Sequence, residues 1–231
     1  MQVTFLGHAT FKIISLEGVR ILIDPWLDNP KSPKNCDRGP YDLILITHAH
    51  GDHLGNVLEL ARSAATEVIA IHEIQQYLLS HGVPNVTGMN IGGSYRTKGV
   101  TITMVQAMHS SSIQQNEEII YGGDAAGFVV RLENGRTFYH AGDTGLFYDM
   151  KLIGELYQPE VAFLPIGDHY VMGPREAAKA CKLLKPKIVI PMHFGTFPLL
   201  TGTPEEFKKH LAEFAPEVSL KVLEPGETVE L

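Results

Sequence analysis

Four side chains of the kinds that bind metal ions lie within six residues, in the run His48-Ala49-His50-Gly51-Asp52-His53. The run directly follows residues 42–47, an apolar stretch typical of a buried strand. In a tight turn at the end of that strand, His48 and His50 can point to the same side, while Asp52 and His53 reach a neighbouring position a few ångströms away. The small residues Ala49 and Gly51 allow the backbone to make that turn. Imidazole and carboxylate without thiolate suit Zn, Mn, Fe or Ni better than Ca or a soft metal. The run therefore predicts a metal site, against the alternative of four polar loop residues that are neighbours by chance.

The elements that must position this run alternate between strands and helices. Short segments rich in Val, Ile, Leu, Phe and Thr predict strands at residues 2–6, 11–16, 19–23, 42–47, 67–71, 99–105, 126–132, 137–140, 160–165, 187–191 and 218–223. Apolar spacings of three and four predict helices at residues 54–63, 73–80, 146–156, 174–184 and 204–214. Each half of the chain begins with β-hairpins and continues with β/α alternation. We therefore predict two sheets sandwiched between helices, in a single domain over residues 1–231, because no linker interrupts the pattern.

Length and composition exclude several classes of protein. A chain of 231 residues with 44% apolar and 19% charged residues is typical of a globular domain, not of a disordered, collagen-like or coiled-coil chain. The net charge of -7 offers no general attraction to nucleic acid or to an anionic membrane. The two cysteines, Cys36 and Cys181, are far apart, so neither a disulfide framework nor a thiolate metal site is predicted. Without a signal-peptide pattern or an apolar run of about 18 residues, a cytoplasmic protein with no membrane partner is expected.

The segment Thr47–His53 resembles the HxHxDH signature of the metallo-β-lactamase superfamily. The resemblance implies an α/β (α+β) fold, namely the four-layer αββα sandwich of the metallo-β-lactamase type. It also implies three further metal ligands, each with a candidate just after a predicted strand: His109, Asp143 and His193. One metal would then be held by His48, His50 and His109, the other by Asp52, His53 and His193, with Asp143 bridging the two. Asp24 matches an aspartate that supports the metal loop from behind.

Other motifs look most like one subgroup, the small metal-dependent hydrolases related to ascorbate-6-phosphate lactonase. These motifs are Gly7-His8-Ala9-Thr10, Ile23-Asp24-Pro25-Trp26, Tyr139–Thr144 and Met172-Gly173-Pro174. The resemblance implies a hydrolase in which a hydroxide held between two divalent metal ions attacks a small ester, lactone or phosphodiester. Zn²⁺ is the first choice of metal and Mn²⁺ the second, with Fe and Ni ranked below them. The implied partner is a small-molecule substrate, and a homo-oligomer is expected because relatives are often oligomeric.

Further residues are candidates for catalysis or substrate binding. We assign catalytic roles to Asp52, His8, Asp24 and His169, and substrate binding to Ser110 and Tyr170. A structural role is the alternative for His8, loop packing for His169 and Tyr170, and a surface turn for Ser110. His140 lies inside the strand before Asp143 and is predicted to be a packed core histidine.

Three other functions are compatible with these residues. An iron-dependent redox enzyme is one, since flavodiiron proteins and persulfide dioxygenases share the fold, although flavodiiron proteins have Glu where this chain has His50. A short-oligonucleotide phosphodiesterase is another, and the acidic charge balance weakens it. A non-catalytic, metal-dependent binding protein is the third.

Overall fold

The chain folds into sixteen strands and six helices in a computed structural model that describes residues 1–231. The strands are β1 (Gln2–Phe5), β2 (Phe11–Ile14), β3 (Arg20–Ile23), β4 (Leu43–Leu45), β5 (Glu67–Ile71), β6 (Val86–Met89), β7 (Ser94–Thr97), β8 (Val100–Gln106), β9 (Ser112–Gln115), β10 (Glu118–Tyr121), β11 (Ala126–Arg131), β12 (Thr137–His140), β13 (Val161–Pro165), β14 (Ile188–Met192), β15 (Ser219–Leu220) and β16 (Thr228–Glu230). The helices are α1 (Gly51–Leu54), α2 (Val57–Leu60), α3 (His72–Ser80), α4 (Met150–Tyr157), α5 (Pro174–Leu184) and α6 (Pro204–Phe214).

Two seven-stranded sheets form the centre of the molecule. The first has the order β16-β1-β2-β3-β4-β5-β6 and the second the order β15-β14-β13-β12-β11-β8-β7. Each is antiparallel at one end and parallel at the other, from β3 to β6 in the first sheet and from β12 to β15 in the second. Helices connect the parallel strands, except that a long loop joins β3 to β4. The predicted mixed α/β architecture of two sheets with helices is therefore confirmed.

The apolar core lies between the sheets and beneath the helices. It is one cluster of 63 buried residues. Phe11 of β2 and Phe163 of β13 join the sheets, with ring centroids 4.5 Å apart. Strands β4, β5 and β13 are buried along their whole length, as expected for parallel strands covered on both faces. The helices are all too short or too polar to cross a lipid bilayer.

The single helix predicted over residues 54–63 is wrong, because the structure divides this segment into α1 and α2. Gly55 separates them with a φ of 44°. A Cβ on Gly55 would lie 2.5 Å from the carbonyl oxygen of Pro25, which accepts a hydrogen bond from the N–H of Asn56. The chain therefore turns at Gly55 in order to pack against the loop after β3, and local periodicity did not reveal this contact.

The helix predicted over residues 146–156 begins only at Met150, because residues 146–149 form part of the loop after β12. The strand predicted over residues 218–223 shortens to β15. Strands β6, β7, β9, β10 and β16 were not predicted. Strands β7 and β16 carry mostly polar, exposed or half-buried residues, so their sequences lack the apolar signal that identified the central strands. Strand β10 is exposed although its sequence, Glu-Ile-Ile-Tyr, is largely apolar.

Gly167 follows β13 and allows the loop after β14 to approach closely. A Cβ on Gly167 would lie 2.1 Å from the carbonyl oxygen of His193. We expect Gly167→Ala to destabilise the fold by about 3 kcal/mol, the upper end of the usual range for overpacking, as measured by urea unfolding. Gly51→Ala is the matched control, since Gly51 begins α1, has no positive φ, and would place an added methyl group with no neighbouring atom within 4 Å. An unfolding midpoint of Gly167→Ala equal to that of Gly51→Ala would contradict the expectation.

Candidate metal centre

Loops from both sheets bring metal-binding side chains to one edge of the sandwich. The run His48–His53 follows β4 and continues into α1. His109 follows β8, Asp143 follows β12, and His193 directly follows β14. The loops after β12 and β14 begin at the same edge of the second sheet because these strands run parallel. The loop after β4 is joined to the second sheet by a hydrogen bond from the N–H of Ala126 to the carbonyl oxygen of Thr47, at 3.0 Å.

Three histidines form what we name the first cluster: His48, His50 and His109. One ring nitrogen from each lies within 4.8 Å of the others. The ring of His109 is nearly perpendicular to those of His48 and His50, with centroids 5.1 Å from each. His48 is fully buried, whereas His50 and His109 are half-buried and face the surface.

Four further side chains form the second cluster: His8, Asp52, His53 and His193. Their ligand atoms also lie within 4.8 Å of one another. Oδ2 of Asp143 lies between the two clusters, 2.9 Å from Nε2 of His193 and 3.3 Å from Nε2 of His53 on one side. On the other side it is 3.7 Å from Nε2 of His109 and 4.0 Å from Nε2 of His48.

Several buried atoms of these residues have no hydrogen-bond partner. They are Nε2 of His53, both ring nitrogens of His193, and Oδ1 of Asp143. Nε2 of His193 lies 2.9 Å from Oδ2 of Asp143, but the pair lacks the angular geometry of a hydrogen bond. An unpaired buried polar group costs about 1–3 kcal/mol and is rare in native proteins. Converging lone pairs without hydrogen bonds suit ligands of a shared cation, so the residues fit divalent metal ions of the type that imidazole and carboxylate bind.

Charges within the clusters compensate one another. Burial would raise the pKa of Asp143, but His193 and His53 hold it well below its usual range. Burial would lower the pKa of His53, but Asp143 and Asp24 hold it well above its usual value. Burial lowers the pKa of His48, so that ring is neutral. Metal binding would release the proton of His53, because only a neutral imidazole is a ligand.

Asp24 lies behind the clusters and holds the metal loop. Its Oδ1 accepts a hydrogen bond from the N–H of Thr47 at 2.8 Å, and its Oδ2 accepts one from the Thr47 hydroxyl at 2.7 Å. Oδ2 is also 2.8 Å from Nδ1 of His53. An N–H on Nδ1 directs the unprotonated Nε2 of a neutral His53 towards Asp143.

His8 lies in the turn between β1 and β2, and it contacts both Asp52 and the loop that carries His193. Its Nε2 is 3.1 Å from Oδ2 of Asp52, and its Nδ1 is 3.0 Å from Oγ1 of Thr196. Its carbonyl oxygen accepts a hydrogen bond from the N–H of His193 at 2.7 Å. Burial lowers the pKa of His8 to about 4, so the ring is neutral near pH 7. Because an ionised carboxylate only accepts hydrogen bonds, the single N–H belongs on Nε2, and Nδ1 accepts from Thr196.

Burial would raise the pKa of Asp52, but the hydrogen bond from His8 and the charge of His53 hold it below its usual range. Asp52 is therefore ionised near neutral pH. Asp52 is also more exposed than Asp143, with 26% of its side chain accessible against 3% for Asp143.

His140 ties the turn that carries His8 to the loop that carries Asp143. It is fully buried in β12, and its Nε2 lies 3.1 Å from the carbonyl oxygen of Ala9. Its Nδ1 accepts a hydrogen bond from the N–H of Gly142. The ring is therefore a packed core histidine with both nitrogens engaged, and it fixes the spacing of two loops at the candidate metal centre.

We expect His140 to make the metal-free protein less stable in acid. Burial lowers the pKa of His140 below the value of about 6.5 that applies in the unfolded chain. The unfolded chain then binds more protons, so this contribution to stability is present above pH 6.5 and is lost as the pH falls towards the folded-state pKa. The free energy of unfolding is measured by urea titration with EDTA at pH 7.5 and at pH 5.5. Between these pH values it should fall by about 1 kcal/mol more in the wild type than in His140→Gln. Equal losses in the two proteins would show that His140 does not titrate on unfolding.

A cavity of about 310 Å³ opens in front of the clusters. It is lined by His50, Asp52, His109, Ser110, Asp143, Tyr170, His193 and Phe197. The structure therefore brings Ser110 and Tyr170 to the site, with the Ser110 hydroxyl 3.4 Å from Nε2 of His50. It does not bring His169 there, because that exposed ring packs against Tyr170, with centroids 4.4 Å apart.

Three residues that contact the site were not predicted from the sequence. Thr196 holds the ring of His8, and Phe197 forms a wall of the cavity. Oγ1 of Thr144 accepts a hydrogen bond from the N–H of Met108 at 3.0 Å and so anchors the loop that carries His109. Each of these residues lies within four positions of a predicted ligand, and that proximity was the only signal in the sequence.

Comparison with known proteins agrees with this geometry. Residues 19–194 match a family described as the Beta-lactamase superfamily domain. The chain is 51% identical over 231 residues to a UPF0173 metal-dependent hydrolase of Methanopyrus kandleri, covering all of both chains. It is 46% identical to a UPF0173 metal-dependent hydrolase of Koribacter versatilis, covering 99% of this chain and 97% of that protein.

A solved structure shows the same fold. Igni18, described as a novel metallo hydrolase from the hyperthermophilic archaeon Ignicoccus hospitalis, is 42% identical with a TM-score of 0.86, covering 99% of this chain and 97% of the other. The closer relationship to ascorbate-6-phosphate lactonase stays a prediction, because none of these relatives carries that name. The matched domain and the close relatives establish that the chain belongs to the metallo-β-lactamase superfamily, as one of its metal-dependent hydrolases.

Proposed function

We propose that the chain hydrolyses a small ester, lactone or phosphodiester at a centre of two divalent cations. The observation that carries this proposal is the convergence of two clusters of histidine and aspartate, with unpartnered buried atoms, beneath an open cavity. Metal-dependent hydrolysis in close relatives supports the type of reaction.

The two clusters divide the ligands. The first cation would be held by His48, His50 and His109, the second by Asp52, His53 and His193, and Asp143 would contribute to both. Zn²⁺ is the first choice for this donor set, and Mn²⁺ is the second. When bound, two such cations lower the pKa of a shared water molecule, polarise the carbonyl or phosphoryl oxygen of the substrate and stabilise the charge that develops there.

The remaining residues orient these ligands and handle the proton. Asp24 holds His53, and His8 holds Asp52. In ester hydrolysis the oxygen of water bonds to the carbonyl carbon, the bond to the alcohol oxygen breaks, and a proton of the water ends on that alcohol oxygen. Asp52 lines the cavity and is ionised, so it is placed to accept that proton and return it to the leaving group.

Initial rates after reconstitution with Zn²⁺ or Mn²⁺ test the proposal, on γ-butyrolactone and on bis(4-nitrophenyl) phosphate. His50→Ala is the blank, and His81→Ala, which removes an exposed histidine at the end of α3, is the matched control. We expect turnover in the wild type and in His81→Ala, and a rate at least about a hundredfold lower in His50→Ala, since even indirect partners of a metal ligand are worth about 10- to 100-fold.

Two outcomes would contradict the proposal. If protein that holds two cations turned over neither γ-butyrolactone nor bis(4-nitrophenyl) phosphate, lactones and phosphodiesters would be excluded as its substrate classes. Turnover that required O₂ and an oxidisable iron would instead support the iron-dependent redox enzyme.

A further inference from the structure

The cavity in front of the clusters contains no cationic side chain. Apart from histidine, its lining is acidic, hydroxyl-bearing or aromatic, and neither Lys nor Arg takes part. Proteins that recognise a phosphate or carboxylate away from the reacting bond usually supply Arg, Lys or a helix N-terminus for it. The cavity therefore offers no positively charged side chain to a second anionic group at a distance from the cations.

Two aromatic rings, those of Tyr170 and Phe197, form part of the cavity wall. Tyr170 is 53% exposed, and Phe197 is half-buried. Phe197 stacks on Trp26, with centroids 5.9 Å apart and an angle of 26° between the rings, and lies 5.7 Å from the ring of His8. Phe197 is therefore a supported apolar surface next to the second cluster.

The loop that carries Tyr170 is joined by hydrogen bonds to the loop that carries Asp143. Asp168 and His169 both have positive φ angles, of 63° and 59°, which Asp and His adopt more readily than most other residues. The N–H of Asp168 donates to the carbonyl oxygen of Met172, and the N–H of Met172 donates to the carbonyl oxygen of Thr144, which follows Asp143. The position of Tyr170 is thus tied to the loop of the candidate metal centre.

Two large apolar side chains are exposed on the loops that carry His109 and Phe197. Met108, which directly precedes His109, is 54% exposed, and Leu199, two residues after Phe197, is 51% exposed. Exposed apolar groups on loops that also carry the site are a feature of ligand-binding surfaces.

We propose that the natural substrate is a small, uncharged ester or lactone with an apolar substituent that packs against Tyr170 and Phe197. This inference rests on the proposed hydrolase function and chooses among its substrate classes. The volume of about 310 Å³ lies at the small end of ligand cavities, which span about 300–1,000 Å³. A substrate that carries a distal phosphate, as the name ascorbate-6-phosphate implies for the related lactonase, would find no partner for it here.

A homologous series of γ-lactones with alkyl side chains of one to five carbons tests the proposal on metal-loaded protein. Burial of a methylene group is worth up to about a fourfold change in an equilibrium, so kcat/KM should rise about two- to fourfold for each added carbon. The rise should be lost in Tyr170→Ala and in Phe197→Ala, with metal content unchanged. Tyr148→Ala is the matched control, since Tyr148 is an exposed tyrosine on the loop after β12 that does not line this cavity.

Calorimetric binding of straight-chain carboxylates from butyrate to octanoate tests the same surface without turnover. Affinity should rise with chain length in the wild type and in Tyr148→Ala, and stay flat in Tyr170→Ala and Phe197→Ala. Turnover without dependence on chain length, or the same dependence in all four proteins, would overturn the inference and leave the hydrolase function standing. Absence of turnover on every lactone, with chain-length-dependent binding, would overturn lactone hydrolysis and keep the apolar site, while bis(4-nitrophenyl) phosphate tests the hydrolase function separately.

Discussion

Asp143→Asn is expected to remove most of the bound divalent metal and with it the hydrolytic activity. Oδ2 of Asp143 lies within 4.0 Å of four histidine nitrogens, two from each cluster, so this one carboxylate would serve both of the proposed cations. An amide keeps the shape but has no charge to balance the cations. Since residues that merely support a ligand are worth about 10- to 100-fold in metal affinity, the loss at Asp143 should be at least about a hundredfold. Metal content after desalting, measured by plasma mass spectrometry, gives the result directly.

Asp168→Asn is the matched control for this substitution. Asp168 lies at the same edge of the sandwich but is exposed, and its Oδ1 accepts a hydrogen bond only from the N–H of His169. Its positive φ is one that asparagine also tolerates. We expect Asp168→Asn to retain the metal content of the wild type. Full metal content in Asp143→Asn as well would show that the two clusters do not share this carboxylate.

His8→Phe is expected to weaken the second cation about 10- to 100-fold while the first is retained, so that metal content falls towards one ion per chain. The phenyl ring keeps the packing of His8 on His193 and Trp26, whose centroids lie 4.0 and 5.1 Å away. It removes the N–H that holds Oδ2 of Asp52, so this partly exposed carboxylate loses the partner that orients it. The measurement is repeated in a His50→Ala background, where only the second cluster keeps all its ligands and where His8→Phe should lower the affinity for the remaining cation by the same factor.

Two threonine substitutions separate an effect on one cluster from a general loss of structure. Thr196→Val removes the hydroxyl that orients His8 and should weaken the second cation. Thr144→Val removes the acceptor for the N–H of Met108 and should weaken the first cation, which His109 helps to hold. If both variants lost the same cation, or if His8→Phe lost neither, His8 would be a packing residue only.

Two helices with strong start signals in the sequence, α5 and α6, have the predicted first and last residues. Helix α6 begins at the predicted residue because the Thr203 hydroxyl accepts a hydrogen bond from the N–H of Glu206, and Pro204 occupies the first turn. Helix α5 likewise opens at Pro174. The division of α1 from α2 at Gly55 was missed, because it depends on contact with the loop after β3. Strand β16 was missed because it forms by pairing with β1, more than 220 residues earlier in the chain.

The candidate metal ligands could be named from the sequence, the run His48–His53 because imidazole and carboxylate groups there directly follow an apolar strand, and His109, Asp143 and His193 because of the resemblance to the metallo-β-lactamase superfamily. The arrangement of those residues was decided only by tertiary packing. Asp143 lies between two clusters because loops of both sheets meet at one edge. His8 reaches Asp52 across 44 residues and Thr196 across 188, distances in sequence at which no local pattern carries information. The aromatic wall of Tyr170 and Phe197 has the same origin, since each ring is positioned by neighbours that only the folded chain brings together.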